Sequence, residues 1–205
     1  MEKDKDTQKE PEFKSSLILQ YWDRSLDKLL AWRSAQAMVF GQPLVFDLSY
    51  EGHMSKREVE NTVSQLIEVE AWNRRATDPS IYTFVTAAGQ LYKQQLLKQQ
   101  LVYLTADSPN VLRTYDHSKV YIVGAMVDRS IQRGASLANA KRLKLATARL
   151  PLDEFLHWET GAKNLTLDQL IRILLTIKET GKWEEALKFV PTRNMTVFIS
   201  PAERD

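Results

Sequence analysis

The 205-residue chain contains no cysteine, which excludes disulfides, thiolate metal sites and thiol nucleophiles. It also has no apolar run of the ~20 residues that a membrane-spanning helix needs. Histidine is scarce: His53, His117 and His157 share no ligand spacing and read as surface or loop residues. The phosphate-binding pattern G-x-x-x-x-G-K-[ST] is missing, and Gly124-Ala125-Met126 does not open a G-x-G-x-x-G fingerprint. Without G-x-S-x-G, serine-based hydrolysis has no support either. Nor is there an excess of one charge: 28 Lys+Arg face 26 Asp+Glu, which argues against a histone-like polycation.

What is present is an ordinary globular composition, 43% hydrophobic and 26% charged. Residues 1–14 carry five acids and four bases with almost no apolar content, and they are expected to form a disordered tail. They lack the apolar core of a signal peptide and are too acidic for a presequence. Any targeting segment is therefore expected outside this chain.

From Ser15 the pattern turns helical. Leu17, Ile18, Tyr21, Trp22, Leu26, Leu29 and Leu30 recur at three and four, predicting a leading helix within 15–41 that ends at Gly41-Gln42-Pro43. Residues 42–194 then read as one α/β domain, with 195–205 as a C-terminal tail. Continuous apolar runs at 44–46, 81–86, 101–104, 120–124 and 146–150 predict buried strands. Helices are expected between them at 88–99, in a short piece after the turn-rich 105–110, and at 135–144. Ser55 and Glu58 form a capping box opening a helix whose buried stripe reads as Val59, Val63, Leu66 and Ile67. Thr166 and Gln169 form a second box ahead of an apolar helix, Leu167 to Ile177, which Gly181 closes. Alternating strands and helices imply a mainly parallel sheet.

In such a sheet ligands bind at the carboxyl ends of the strands. Polar residues gather there: Thr105, Asp107 and Ser108 after one strand, Asp128, Arg129, Ser130, Gln132 and Arg133 after the next, and Asn164 and Thr166 before the last long helix. Ordinary βα loops also contain such turn formers. Between His117 and Arg149 lie seven bases, Lys119, Arg129, Arg133, Lys141, Arg142, Lys144 and Arg149, against the single acid Asp128. That balance suits a phosphate backbone, although a solvated helix face at 141–144 explains part of it equally. Nearby cations keep Asp128 in its charged form, a candidate proton acceptor or steering group. Asn61 and Gln65, four apart on the capped helix, form an amide pair able to read a base edge, or two ordinary surface amides. The five tryptophans read mainly as packing anchors.

The ordered segments Pro43-Leu-Val-Phe-Asp47, Asn61-Thr-Val-Ser-Gln65, Asn73-Arg-Arg75, Val102-Tyr-Leu-Thr-Ala-Asp-Ser-Pro-Asn110, Tyr121-Ile-Val-Gly124, Val127-Asp-Arg-Ser130, Leu150-Pro-Leu152, Lys163-Asn-Leu-Thr-Leu-Asp-Gln169 and Phe189-Val-Pro191 resemble one family. It is the SPOUT-class tRNA methyltransferases that modify N1 of the purine at position nine. The likeness is greatest to the animal mitochondrial branch, the methyltransferase subunit of mitochondrial ribonuclease P. It covers roughly residues 15–194.

The resemblance implies a SPOUT domain with a C-terminal trefoil knot and S-adenosyl-L-methionine as cofactor, with no metal. It implies cofactor contacts from Leu104, Thr105, Gly124, Asp128, Arg129, Ser130, Ile131, Gln132, Ser136, Leu150, Lys163, Asn164 and Leu165. It makes Asp128 the catalytic aspartate and puts Asn61 and Gln65 near the target base. Contacts to RNA are expected from Lys119, Arg129, Arg133, Lys141, Arg142 and Lys144. The implied setting is the mitochondrial matrix, with no membrane contact. Precursor tRNA is the implied substrate, and the chain is expected to be monomeric on its own. A short-chain dehydrogenase subunit and a protein-only nuclease subunit are the implied partners. The alternative from another class is a non-catalytic tRNA-binding platform for 5′ processing by a separate nuclease.

Overall fold

The computed structural model describes residues 28, 31, 32, 35, 36, 39–75, 81–86, 100–126, 134–158, 165–191 and 195–198. Strand β1 (Gln42–Asp47) is followed by helix α1 (Lys56–Arg75), then strand β2 (Ile81–Thr86). Strands β3 (Leu101–Leu104) and β4 (Val120–Gly124), helix α2 (Ala135–Arg142) and strand β5 (Ala146–Ala148) come next. The remainder comprises helix α3 (Leu152–Phe155), strand β6 (Leu156–Trp158), helix α4 (Leu167–Thr180), helix α5 (Trp183–Ala186) and strand β7 (Met195–Phe198).

The five strands β1 to β5 form one all-parallel sheet in the order β2-β1-β4-β3-β5, as the alternating pattern predicts. Its central strands are buried on both faces, so their residues divide by parity. Leu44, Phe46, Tyr121 and Val123 point to one face, where they join Val69 of α1 and Leu167, Ile171 and Leu174 of α4. Val45, Leu101, Tyr103, Val120 and Ile122 point to the other, where Ala140 of α2 and Leu145 cover them. Parallel register aligns the carboxyl ends: Asp47 lies opposite Gly124, and Leu104 opposite both Val123 and Ala148. All the loops that follow these strands therefore leave from one edge.

The first capping box is closed in both directions, and the second makes its backbone-to-side-chain bond. Ser55 N–H donates to Glu58 Oε2 at 2.8 Å, and Thr166 N–H donates to Gln169 Oε1 at 3.1 Å. Gly181 closes α4 in the left-handed region at φ 68°, where a side chain would be strained.

Several expectations are corrected. The buried stripe of α1 is rotated: Val63 and Ile67 are 51% and 61% exposed, while Thr62 and Val69 are buried. Thr62 can be inside because its hydroxyl donates to Glu58 O at 2.9 Å, leaving only its methyl to pack. The short helix expected after residue 110 is absent. The backbone of Asn110 and Leu112 is committed instead to Arg149, by N–H···O bonds of 2.8 Å in both directions. Val111 thus bridges to Arg149 just past β5, which ends at Ala148 rather than Leu150. The expected tail from residue 195 begins with β7, paired antiparallel to β6.

The tail 1–14 and the helix at 88–99 lie outside the described residues. Of the leading helix, residues 28, 31, 32, 35, 36, 39 and 40 are described, and all are helical. The loops relevant to the expected knot include 127–133 and 159–164, also outside the described residues.

Candidate functional site

The carboxyl edge is built where β1, β4, β3 and β5 end side by side. Leu104 is buried at the end of β3, and Thr105, also buried, donates its N–H to Ala148 O at 2.9 Å. That bond ties the first loop to the end of β5. The same loop reaches the other way: Asp107 Oδ2 accepts from Gly134 N–H at 2.8 Å, at the start of α2. Leu150 and Leu165 are half-buried and pack against the core cluster that includes Leu104 and Ala148. Among the described residues Thr166 Oγ1, next to Leu165, is buried with no hydrogen-bond partner.

Gly124 sits at the centre of this edge, and its lack of a side chain is used. A Cβ there would lie 3.1 Å from Ser136 Oγ and 3.2 Å from both Tyr103 Oη and Tyr50 Cε2. Only glycine lets the first turn of α2 and the two tyrosines close around the end of β4.

Beneath Gly124 is a buried polar network that the sequence reading missed. Asp47 is fully buried, and its Oδ1 accepts from Ser49 N–H at 3.0 Å. Its Oδ2 accepts from Tyr103 Oη and from Asn139 Nδ2, each at 2.8 Å. Tyr50 and Tyr103 hydroxyls lie 2.6 Å apart. With Tyr103 donating to Asp47, Tyr50 donates to Tyr103. Burial, reinforced by Tyr50 and Asp47, pushes the Tyr103 hydroxyl far above the ordinary tyrosine range, so it stays a donor. Ala125 N–H donates to Asp47 O at 2.9 Å, which fixes the chain leaving β4. The available signal was a carboxylate closing an otherwise apolar strand, Leu44-Val-Phe-Asp47, where burial of a charge demands partners.

Of the residues expected at the cofactor, Leu104, Thr105, Gly124, Ser136 and Leu150 lie at or just past the strand ends, and Leu165 packs on the same core cluster as Leu104. Asp128, Arg129, Ser130, Ile131, Gln132, Lys163 and Asn164 lie outside the described residues. Asn61 and Gln65 are half-buried on α1. Gln65 is not a free amide: its Oε1 accepts from Leu167 N–H at 2.9 Å and caps α4.

The basic residues of the stretch fall in different settings. Lys119 precedes β4 at the amino edge of the sheet, opposite the loops just described. Arg149 is engaged with Glu154 at 3.3 Å and Asp153 at 3.6 Å. Arg133 lies outside the described residues. Lys141, Arg142 and Lys144 remain together and exposed at the end of α2, where cations also complement the helix dipole. Lys144 takes the left-handed conformation at φ 55° that turns the chain toward β5. His53, His117 and His157 are exposed in separate parts of the fold, and among the described residues no group of three or more His, Asp or Glu is placed to hold a metal.

Residues 82–195 match the family model for tRNA (guanine(9)-N(1))-methyltransferase TRM10/TRM10A. A tRNA methyltransferase 10 homolog C from Xenopus tropicalis is 54% identical over 94% of this chain and 48% of its own length. The human protein of the same name is 48% identical over 95% of this chain and 54% of its own length. The mitochondrial ribonuclease P protein 1 homolog of Drosophila melanogaster is 36% identical over 88% of the chain and 47% of its own length. The chain thus spans about half the length of these curated relatives. Among solved structures, full-length spTrm10 in complex with SAH superposes with a TM-score of 0.62 at 24% identity, over 74% of this chain and 98% of that one.

Proposed function

The chain belongs to the TRM10 family of tRNA methyltransferases, and from that premise we propose that it methylates N1 of the purine at position nine of tRNA, using S-adenosyl-L-methionine. The observation that carries the proposal is the carboxyl edge, where β3, β4 and β5 end side by side and Gly124 lets Ser136, Tyr103 and Tyr50 close on the end of β4. Backbone groups and small polar side chains lie there with the buried Leu104, whose core cluster Leu150 and Leu165 also join, a donor set suited to a nucleoside carrying an amino-acid tail. The partnerless Thr166 hydroxyl offers one further polar contact. The residues present fit the cofactor. Leu104, Thr105, Gly124, Ser136, Leu150 and Leu165 would hold it, joined by Asp128 to Gln132 and by Lys163 and Asn164.

S-adenosyl-L-methionine, when bound, supplies an electrophilic methyl group with its own leaving group. The chain's task is to orient the acceptor nitrogen and to manage one proton. Guanine N1 carries a proton that must leave, and Asp128 is proposed to accept it. Adenine N1 is already a lone pair, so there Asp128 only orients the base. Asn61 and the amide nitrogen of Gln65 are proposed to face the base, which must leave its stack to be reached. Lys141, Arg142 and Lys144, with Arg129 and Arg133, are proposed to hold the phosphate backbone.

The relative named mitochondrial ribonuclease P protein 1 homolog supports a mitochondrial role and association with that enzyme. The proposed partners are precursor tRNA, a short-chain dehydrogenase subunit and a protein-only nuclease subunit, and the proposed compartment is the matrix. Calorimetric titration of S-adenosylhomocysteine into the purified chain tests the site. Saturable one-to-one binding is expected; no heat at high ligand concentration refutes the cofactor assignment.

A further inference from the structure

One face of α2 carries Ser136, Asn139 and Arg142, spaced three apart. Ser136 packs on Gly124, and Asn139 reaches the buried Asp47. Arg142, exposed at the helix end, donates from Nη2 to Asn139 Oδ1 at 2.6 Å. This bond settles the orientation of the amide: its oxygen faces the guanidinium, and its nitrogen can only face the carboxylate. Asn139 Nδ2 also lies 3.4 Å from Tyr50 Oη and 3.5 Å from Ser49 Oγ. A surface cation and a fully buried anion are therefore joined through one amide. The anion in turn holds Tyr103 and, through its own backbone carbonyl, Ala125.

We propose that Asn139 is a positioning residue for the methyl-transfer site, an amide bridge through which Arg142 on the basic helix steadies Asp47 and hence the Gly124–Ala125 backbone that receives the cofactor. The inference rests on the cofactor assignment above and deepens it. The bridge gives the RNA-facing end of α2 a mechanical connection to the cofactor edge. Asn139 touches neither ligand in this account and acts only through Asp47. Burying the Asp47 carboxylate without its amide donor leaves one oxygen with Tyr103 alone, and the donor strength of the amide is raised by the cation behind it.

The test uses the whole chain, S-adenosylhomocysteine as ligand and an unmodified tRNA transcript. Asn139→Ala is expected to weaken S-adenosylhomocysteine binding about tenfold at a temperature where circular dichroism shows it folded, and to leave tRNA affinity without cofactor within twofold. Arg142→Ala, a surface change that should not disturb folding, is expected to weaken the same ligand about threefold. In the Asn139→Ala background it should cost nothing further, because its effect passes through the amide. A merely structural Asn139 would lower the melting temperature yet leave the ligand affinity of the folded variant within twofold of wild type, and this overturns the proposal. So does an Arg142→Ala effect that is equal in both backgrounds. If Asn139→Ala fails to fold, Arg142→Ala with unchanged ligand affinity overturns it alone. Absence of binding by the wild-type chain is a separate result, which sinks the cofactor assignment and this step with it.

Discussion

Gln65 separates two roles that the sequence alone could not distinguish. Its Oε1 accepts from Leu167 N–H at 2.9 Å, at the first turn of α4, and Leu167 is itself 4% exposed. Gln65→Ala removes the acceptor and leaves a largely buried donor at a helix amino terminus. The expected cost is about 1–2 kcal/mol, from the penalty for an unsatisfied group and the worth of a helix cap. For a chain of this size that corresponds to a fall of roughly 2–4 °C in melting temperature per kcal/mol. Gln65→Glu keeps the accepting oxygen and adds negative charge at the positive end of the helix dipole, worth about 0.3–1 kcal/mol in its favour. It loses the amide N–H donors. Urea unfolding should therefore show Gln65→Ala destabilised and Gln65→Glu at or above wild type, while methylation of tRNA falls in both. A Gln65→Ala variant with the wild-type urea midpoint would refute the capping argument. Full methylation by a stable Gln65→Glu variant would remove the amide from the base-facing role.

Other perturbations probe the rest of the edge. Gly124→Ala inserts a methyl 3.1–3.2 Å from three side-chain atoms and should cost about 1–3 kcal/mol in stability, together with loss of calorimetric S-adenosylhomocysteine binding; unchanged binding would contradict the packing described. Asp128→Asn should slow methylation of a guanine-9 substrate by about 10²–10⁴-fold and of a matched adenine-9 substrate much less, and equal losses on both would exclude a general-base role. The raised Tyr103 hydroxyl makes the folded chain hold its proton more tightly than the unfolded chain. Stability from this group is complete below the ordinary tyrosine value of about 10 and declines as pH rises above it, so Tyr103→Phe should flatten the alkaline limb of a stability–pH curve. An unchanged slope would show that the network does not depend on that proton.

The parallel sheet was legible because Leu44-Val45-Phe46, Leu101 to Leu104 and Val120 to Val123 are apolar on both parities, the mark of strands covered on two faces. The limits of α4 were legible for a different reason: Thr166, Gln169 and Gly181 act locally, and their chemistry does not depend on distant residues. The rotation of α1 was not, because counting apolar positions cannot anticipate a buried Thr62 that satisfies its own hydroxyl. Pairing of Leu156–Trp158 with Met195–Phe198 spans a long stretch of chain and leaves no short-range trace. At the site, the loops after β3 and β5 could be placed from strand ends alone. The Asp47 network could not, since Tyr50, Tyr103 and Asn139 come from three separate segments and meet only in the fold. The settings of the basic residues were not legible for the same reason. They fall within one segment of sequence, yet Arg149 finds acidic partners and Lys119 precedes β4 at the amino edge of the sheet.

The most direct test of the central claim is mapped methyl transfer. The chain is incubated with S-adenosyl-L-methionine and saturating tRNA transcript, and N1 methylation is read as a block to primer extension, since it occupies the pairing edge of the base. A cofactor-dependent block at position nine is expected, abolished on guanine by Asp128→Asn. A chain that binds both S-adenosylhomocysteine and tRNA yet produces no block at position nine would contradict it and leave the binding-platform reading in its place.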